Sequence, residues 1–130
     1  MSHGSHGSFA TAINCMDGRT QVPVIDFVRK KYGVDYVDMI TDPGPVRILA
    51  ENKDKAALES IRRRVEISTG KHGSEHLVIV AHHDCAGNPV EKDVQIRQLR
   101  EAIKTVRSWA FKTEIISLWI DEKWTAQEVR

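Results

Sequence analysis

Apolar positions along the chain alternate between two spacings, and the alternation itself predicts the fold. Phe9 to Asn14 is a short apolar run that reads as a strand. From Val22 the spacing becomes helical, with Val22, Ile25, Val28 and Tyr32 on one face. Pro23 suits a first turn there, Lys30 and Lys31 suit a last turn, and Gly33 stops the helix. Tyr36 to Thr41 reads as a second strand, closed by the turn-rich segment TDPGP. A second amphipathic helix carries Leu58, Ile61, Val65 and Ser68 in line and ends at Gly70. The segment HLVIVAH, residues 76–82, is continuously apolar between its histidines, as expected of a central parallel strand covered on both faces. Asn88 is placed to cap a long helix, with Pro89 at its first position, Glu91 at its third, and a stripe of Ile96, Leu99, Ile103, Val106 and Ala110. EIISLWI, residues 114–120, is a further buried strand, and WTAQEV is expected to return antiparallel after a turn at Asp121–Lys123.

Strands that alternate with helices require right-handed crossovers. The expected fold is therefore α/β, three layers around a central, mostly parallel sheet of order 2-1-3-4, with an antiparallel last strand. Residues 1–8, MSHGSHGS, read as a flexible leader, so His3 and His6 are set aside from the chemistry. Residues 9–130 read as a single domain, long enough to bury a core without disulfides.

Composition narrows the function by exclusion. The formal charge of +1 gives no electrostatic case for nucleic acid or an anionic membrane. No apolar run approaches the ~20 residues a membrane span requires. The beginning of the chain has no charged-then-apolar signal layout, so a cytoplasmic location is expected. In that reducing setting, cysteines favour thiol or metal-ligand roles over a disulfide.

Cys15 and Cys85, the chain's two cysteines, lie beside charged residues, in INCMDGRT and AHHDCAG. Each follows a predicted strand, and the order 2-1-3-4 makes those strand ends neighbours, where α/β sheets gather functional residues. Two thiolates and an imidazole select zinc and leave a fourth position open. His82-x-x-Cys85 delivers two ligands from one turn, and Cys15 supplies the third. The competing reading is two buried cysteines packed as small hydrophobes. Cys15 to Arg19 is too short to wrap a phosphate as a thiol phosphatase does, and no C-x-x-C redox pair occurs.

CMDGR followed by AHHDCAG resembles the β-class carbonic anhydrases, whose signature is C-x-D-S-R and then H-T-x-C-G. The similarity runs from the first strand to SLWIDEKW. It implies zinc bound by Cys15, His82 and Cys85, with Asp17 and Arg19 as a carboxylate–guanidinium pair beside the metal. In that family the aspartate either orients zinc-bound water or occupies the fourth site in a resting form. The implied activity is reversible hydration of carbon dioxide to bicarbonate by zinc-bound hydroxide. The chain differs in having Gly18 for the serine, His83 for the threonine and Ala86 for the glycine. DPGPVR stands where the family has Ala-Gly-Asn, and Gly44 is the residue expected to replace its close backbone approach.

Two other functions compete: hydrolysis of carbonyl sulfide or carbon disulfide on the same zinc, and a non-catalytic zinc-binding assembly domain. His83 is a candidate proton shuttle, weighed against a histidine facing solvent. His72 and His76 are expected in the loop before the third strand. Trp109, Trp119 and Trp124 are expected in the core or in contacts of a homodimer that covers exposed sheet edges, with the Trp119 and Trp124 region as the contact.

Overall fold

The computed structural model describes residues 7–130. His3, His6 and most of the proposed leader lie outside the described residues. Ser8 is tied down: its N–H donates to Asp35 Oδ2 at 2.9 Å, and its carbonyl accepts from Asp35 and Tyr36.

Among the described residues, nine elements follow one another: β1 (Phe9–Cys15), α1 (Gly18–Tyr32), β2 (Tyr36–Asp42), α2 (Pro45–Glu51), α3 (Lys55–Gly70), β3 (His76–His82), α4 (Lys92–Arg107), β4 (Glu114–Ile120) and β5 (Ala126–Val129). The five-stranded sheet has the order β2-β1-β3-β4-β5. Its first four strands are parallel and β5 pairs antiparallel with β4, as the patterning predicts.

β3 shows why its sequence is apolar at every interior position. Leu77, Ile79 and Ala81 enter a cluster with Ile13, Leu49, Ile61, Val65 and Leu99, on the face covered by α2, α3 and α4. Val78 and Val80 enter a second cluster with Ala10, Ala12, Val24 and Val28, on the face covered by α1. With both faces covered, neither set of alternate positions meets water. β1 and β2 are in register from Phe9–Tyr36 to Cys15–Asp42. That register sets Cys15 at the carboxyl edge of the sheet, level with the end of β2.

Several helix boundaries depart from expectation, each for a physical reason. α1 starts four residues before Val22, because Asp17 caps it by accepting from the Arg19 N–H, and Pro23 therefore lies inside the helix. Two helices, not one, follow β2. Asn52 ends α2 in the left-handed region at φ 52°, and Asp54 caps α3 by accepting from Ala57 N–H. α4 starts at Lys92 with Glu91 as its N-cap, so Asn88 is not the cap. Asn88 is fully buried and its Nδ2 donates to Gln98 Oε1 at 2.7 Å. Ala110 falls beyond the helix end, at φ 62°.

The opposite, amino edge of the sheet is pinned by polar contacts. His76 opens β3 and stacks on Tyr32 with ring centroids 3.8 Å apart, while Tyr32 donates to Glu114 Oε1 at 2.6 Å. His72, in the turn before β3, pairs with Asp38 at 2.6 Å. Burial and the adjacent Glu114 carboxylate push the Tyr32 hydroxyl well above the usual tyrosine range. The native state thus keeps Tyr32 neutral where the unfolded chain ionises, so stability is lost as pH rises beyond ~10. Tyr32→Phe is expected to cost about 1 kcal/mol at neutral pH through the lost hydrogen bond. It should also flatten the alkaline decline, measured as urea unfolding at neutral pH and at about pH 10.5.

Candidate metal centre

The sulfur atoms of Cys15 and Cys85 and the ring of His82 converge at the carboxyl edge, their ligand atoms all within 4.8 Å of one another. β1 delivers Cys15 as its last residue, and β3 beside it delivers His82 as its last. The turn after β3 brings Cys85 back, with Asp84 in the left-handed region at φ 58°. All three side chains are buried.

The donor set fits a zinc ion on two observations. First, the sulfurs are 3.8 Å apart, too far for a disulfide, and the cysteines are free. Two thiolates at ~2.3 Å from a tetrahedral ion would stand ~3.8 Å from each other. Second, His82 Nδ1 lies 2.7 Å from the His83 carbonyl oxygen, an acceptor only. A neutral His82 therefore carries its proton on Nδ1 and presents a lone pair at Nε2, which is buried with no partner in the protein. Gln95 reinforces this turn, donating to the His82 carbonyl at 2.9 Å.

The two sulfurs set each other's charge first, and backbone N–H groups add to it. The Cys85 thiol, then His82 and the N–H groups of Gly44 and Asp17, lower the Cys15 pKa well below the thiol range against the effect of burial. The Cys15 sulfur and burial push Cys85 the other way, while the N–H groups of Gly87 and Asn88 favour its thiolate. Burial opposes charge on His82, but the Cys15 sulfur and the His83 carbonyl outweigh it and raise its pKa.

Asp17 stands outside the ligand cluster, engaged with Arg19. Arg19 Nε donates to Oδ1 at 3.1 Å, Nη2 to Oδ2 at 2.7 Å, and the Arg19 backbone N–H to Oδ1 at 2.9 Å. The guanidinium, first through these hydrogen bonds, holds the Asp17 carboxyl down to about 2. Asp17 is therefore an anion and an acceptor at any ordinary pH. Its carbonyl accepts from Thr20 Oγ1 and from Gln21 Nε2, and Gln21 Nε2 also reaches the Cys15 carbonyl at 2.8 Å.

Other expected residues fall as follows. His83 is exposed, its backbone N–H bound to the Ile120 carbonyl. Trp119 is buried among the chain's own side chains, which removes it from any surface contact, and Trp109 packs on the same core cluster. Trp124 packs against the other cluster and also lies over the Arg19 guanidinium, 4.2 Å from ring to Cζ. Asp84, Gln21 and Gln95 were not singled out by sequence reasoning. Asp84 alone carried a signal, its place inside the H-H-D-C turn.

Gly44, at φ 57°, and Gly87 let the loops after β2 and β3 touch. A Cβ on Gly44 would meet Asn88 Cβ at 2.8 Å, and one on Gly87 would meet the Pro43 carbonyl carbon at 2.6 Å and its Cβ at 2.7 Å. This contact sets the N–H groups of Gly44, Gly87 and Asn88 around the two sulfurs. Gly18 is different, with no atom within 4 Å of an added Cβ. Gly87→Ala is expected to cost about 1–3 kcal/mol by overpacking. Gly18→Ala should stay within about 0.5 kcal/mol of the parent. Urea unfolding of both variants checks the pair, and equal effects would contradict the interlock.

The chain resembles known proteins in both sequence and fold. Residues 5–130 match the sequence profile of a family described as "putative carbonic anhydrase". No curated protein sequence matches the chain. Among solved structures, the β-carbonic anhydrase isoform I of the protozoan Trichomonas vaginalis superposes with a TM-score of 0.58 at 17% identity, over 91% of this chain and 80% of that one. At that identity the superposition speaks for the fold, whereas the profile match spans nearly the whole chain. With the signature residues assembled at one sheet edge, the chain belongs to the family described as putative carbonic anhydrase, and its fold is that of a β-carbonic anhydrase.

Proposed function

We propose that this protein hydrates carbon dioxide reversibly to bicarbonate and a proton at a zinc ion held by Cys15, His82 and Cys85. One observation carries the reading: an ionised carboxylate, Asp17, is locked by Arg19 beside three convergent soft ligands. A purely structural zinc site needs no such pair. Bound there, zinc would supply a nucleophile near neutrality by lowering the pKa of a coordinated water toward ~7. The chain's own residues then set direction. Asp17 can only accept, so it takes a hydrogen bond from the attacking oxygen and leaves a lone pair free for the substrate carbon. Arg19 fixes both carboxylate oxygens through its planar fork, which lysine could not do.

Among the described residues, no helix is long and apolar enough to cross a membrane. The non-catalytic alternative draws on one feature, that Asp17 also caps α1. Asparagine caps helices as well as aspartate does, which makes Asp17→Asn a clean test. It should keep its fold and about one zinc per chain, yet lose ~10²–10³ in carbon dioxide hydration rate. Cys85→Ser, by contrast, should lose most of the metal and part of the stability. Stopped-flow hydration on metal-quantified protein, with carbonyl sulfide and carbon disulfide alongside, decides the substrate. An unchanged hydration rate in Asp17→Asn would make the residue a cap only.

We further propose a homodimer. β2 pairs with β1 alone, leaving an open sheet edge beside exposed Tyr36 and Ile67. Light scattering at micromolar concentration should return the mass of two chains, and a single-chain mass would remove the assignment.

A further inference from the structure

We infer that Trp124 is a positioning residue: its indole, together with Asp84, clamps Arg19 so that the guanidinium fork stays aligned on Asp17. The functional part of this inference rests on the role proposed above for Asp17; the clamp itself does not.

Arg19 needs such a clamp. Its side chain is 47% exposed, and a long exposed arginine ordinarily samples many rotamers. Here it has several partners at once. Besides the two bonds to Asp17, Nη1 donates to Asp84 Oδ2 at 3.3 Å and Nη2 to the Asp84 carbonyl at 3.2 Å. The Trp124 ring covers it at 4.2 Å, well inside the range of a cation–π contact. Flat indole, fork and carboxylate leave the guanidinium little freedom to rotate or slide.

Both clamp residues are held in backbone conformations that residues with a Cβ seldom adopt. Trp124 has φ 60° and Asp84 has φ 58°. Such geometry persists only where the surroundings impose it. For Trp124 they do. Asp121 Oδ1 accepts from the N–H groups of Lys123 and Thr125, Oδ2 accepts from Gln127 Nε2, and the Asp121 carbonyl accepts from the Trp124 N–H. The turn between β4 and β5 is thus wound around one carboxylate, and its result is to lay an indole on Arg19. A four-residue β5 is a small extension of the sheet, but it anchors this arm across the site.

Side-chain ¹⁵N relaxation and Nε–H exchange of Arg19, measured on the zinc-loaded full chain, test the clamp. In the wild type, Arg19 Nε should be ordered and its proton should exchange slowly, whereas that of exposed Arg100 should be mobile. Trp124→Leu, which keeps apolar packing against the core, should release Arg19 to the Arg100 level, and Trp124→Phe should restore much of the order. Hydration by Trp124→Leu should then show kcat reduced about tenfold with KM and zinc content unchanged, again recovered in Trp124→Phe. An Arg19 as mobile as Arg100 in the wild type, or equally ordered in Trp124→Leu, overturns the clamp without needing either activity or a folded variant in the first case. A wild-type protein inactive toward carbon dioxide with an ordered Arg19 would instead remove the proposed reaction and leave the clamp standing.

Discussion

Two buried sulfur atoms 3.8 Å apart constrain everything around them. Both cannot be anions there unless positive charge is brought to meet them. The protein supplies part of it through backbone N–H groups aimed at each sulfur and through the His82 ring. A divalent cation is the complement that the donor set calls for, and the orphaned His82 Nε2 faces the same demand. The backbone groups can crowd so close only because Gly44 and Gly87 have no side chain at the loop contact. The candidate metal centre is therefore a property of three strand ends brought level by a parallel sheet.

The second layer of the site is economical in its use of residues. Asp17 caps α1, neutralises Arg19 and stands two residues after Cys15 of the candidate ligand cluster. Helix start and charge placement are thus one event, since the same Oδ1 accepts from the Arg19 backbone and side chain. Thr20 and Gln21, in the first turn of α1, tie the Asp17 and Cys15 carbonyls to the helix. The α1 cap cannot shift without moving the carboxylate. On the far side, the β4–β5 turn closes over Arg19, so a short C-terminal hairpin bears on the site as directly as the central strands.

Much of this was readable from the chain because it depends on local period and on strand-end position. Continuous apolar runs identified buried strands, and alternation with helical stripes led to a parallel sheet of the observed order. That order brings Cys15, His82 and Cys85 together, and the resemblance to the β-class carbonic anhydrases implied Asp17 and Arg19 beside them. Helix ends were less legible where a signal had two uses. Asn88 before Pro89 has the composition of a cap, yet it is spent inside the loop contact with Gly44, a partner more than forty residues away. The break between α2 and α3 turned on a left-handed Asn52, which apolar spacing does not register.

What only the tertiary structure decided is how distant groups share one atom. Trp124 and Arg19 are over a hundred residues apart, and no periodicity relates an indole in a hairpin turn to a guanidinium on the first helix. Asp84 became a holder of Arg19 because its backbone turns left-handed, a conformation its side chain does not announce. Sequence determined the donor types and the strand ends that carry them, because thiolate, imidazole and carboxylate chemistry is intrinsic to each residue. Orientation, burial and the spare lone pair on His82 belong to the fold, because they arise from contacts between segments that meet only when the sheet is assembled.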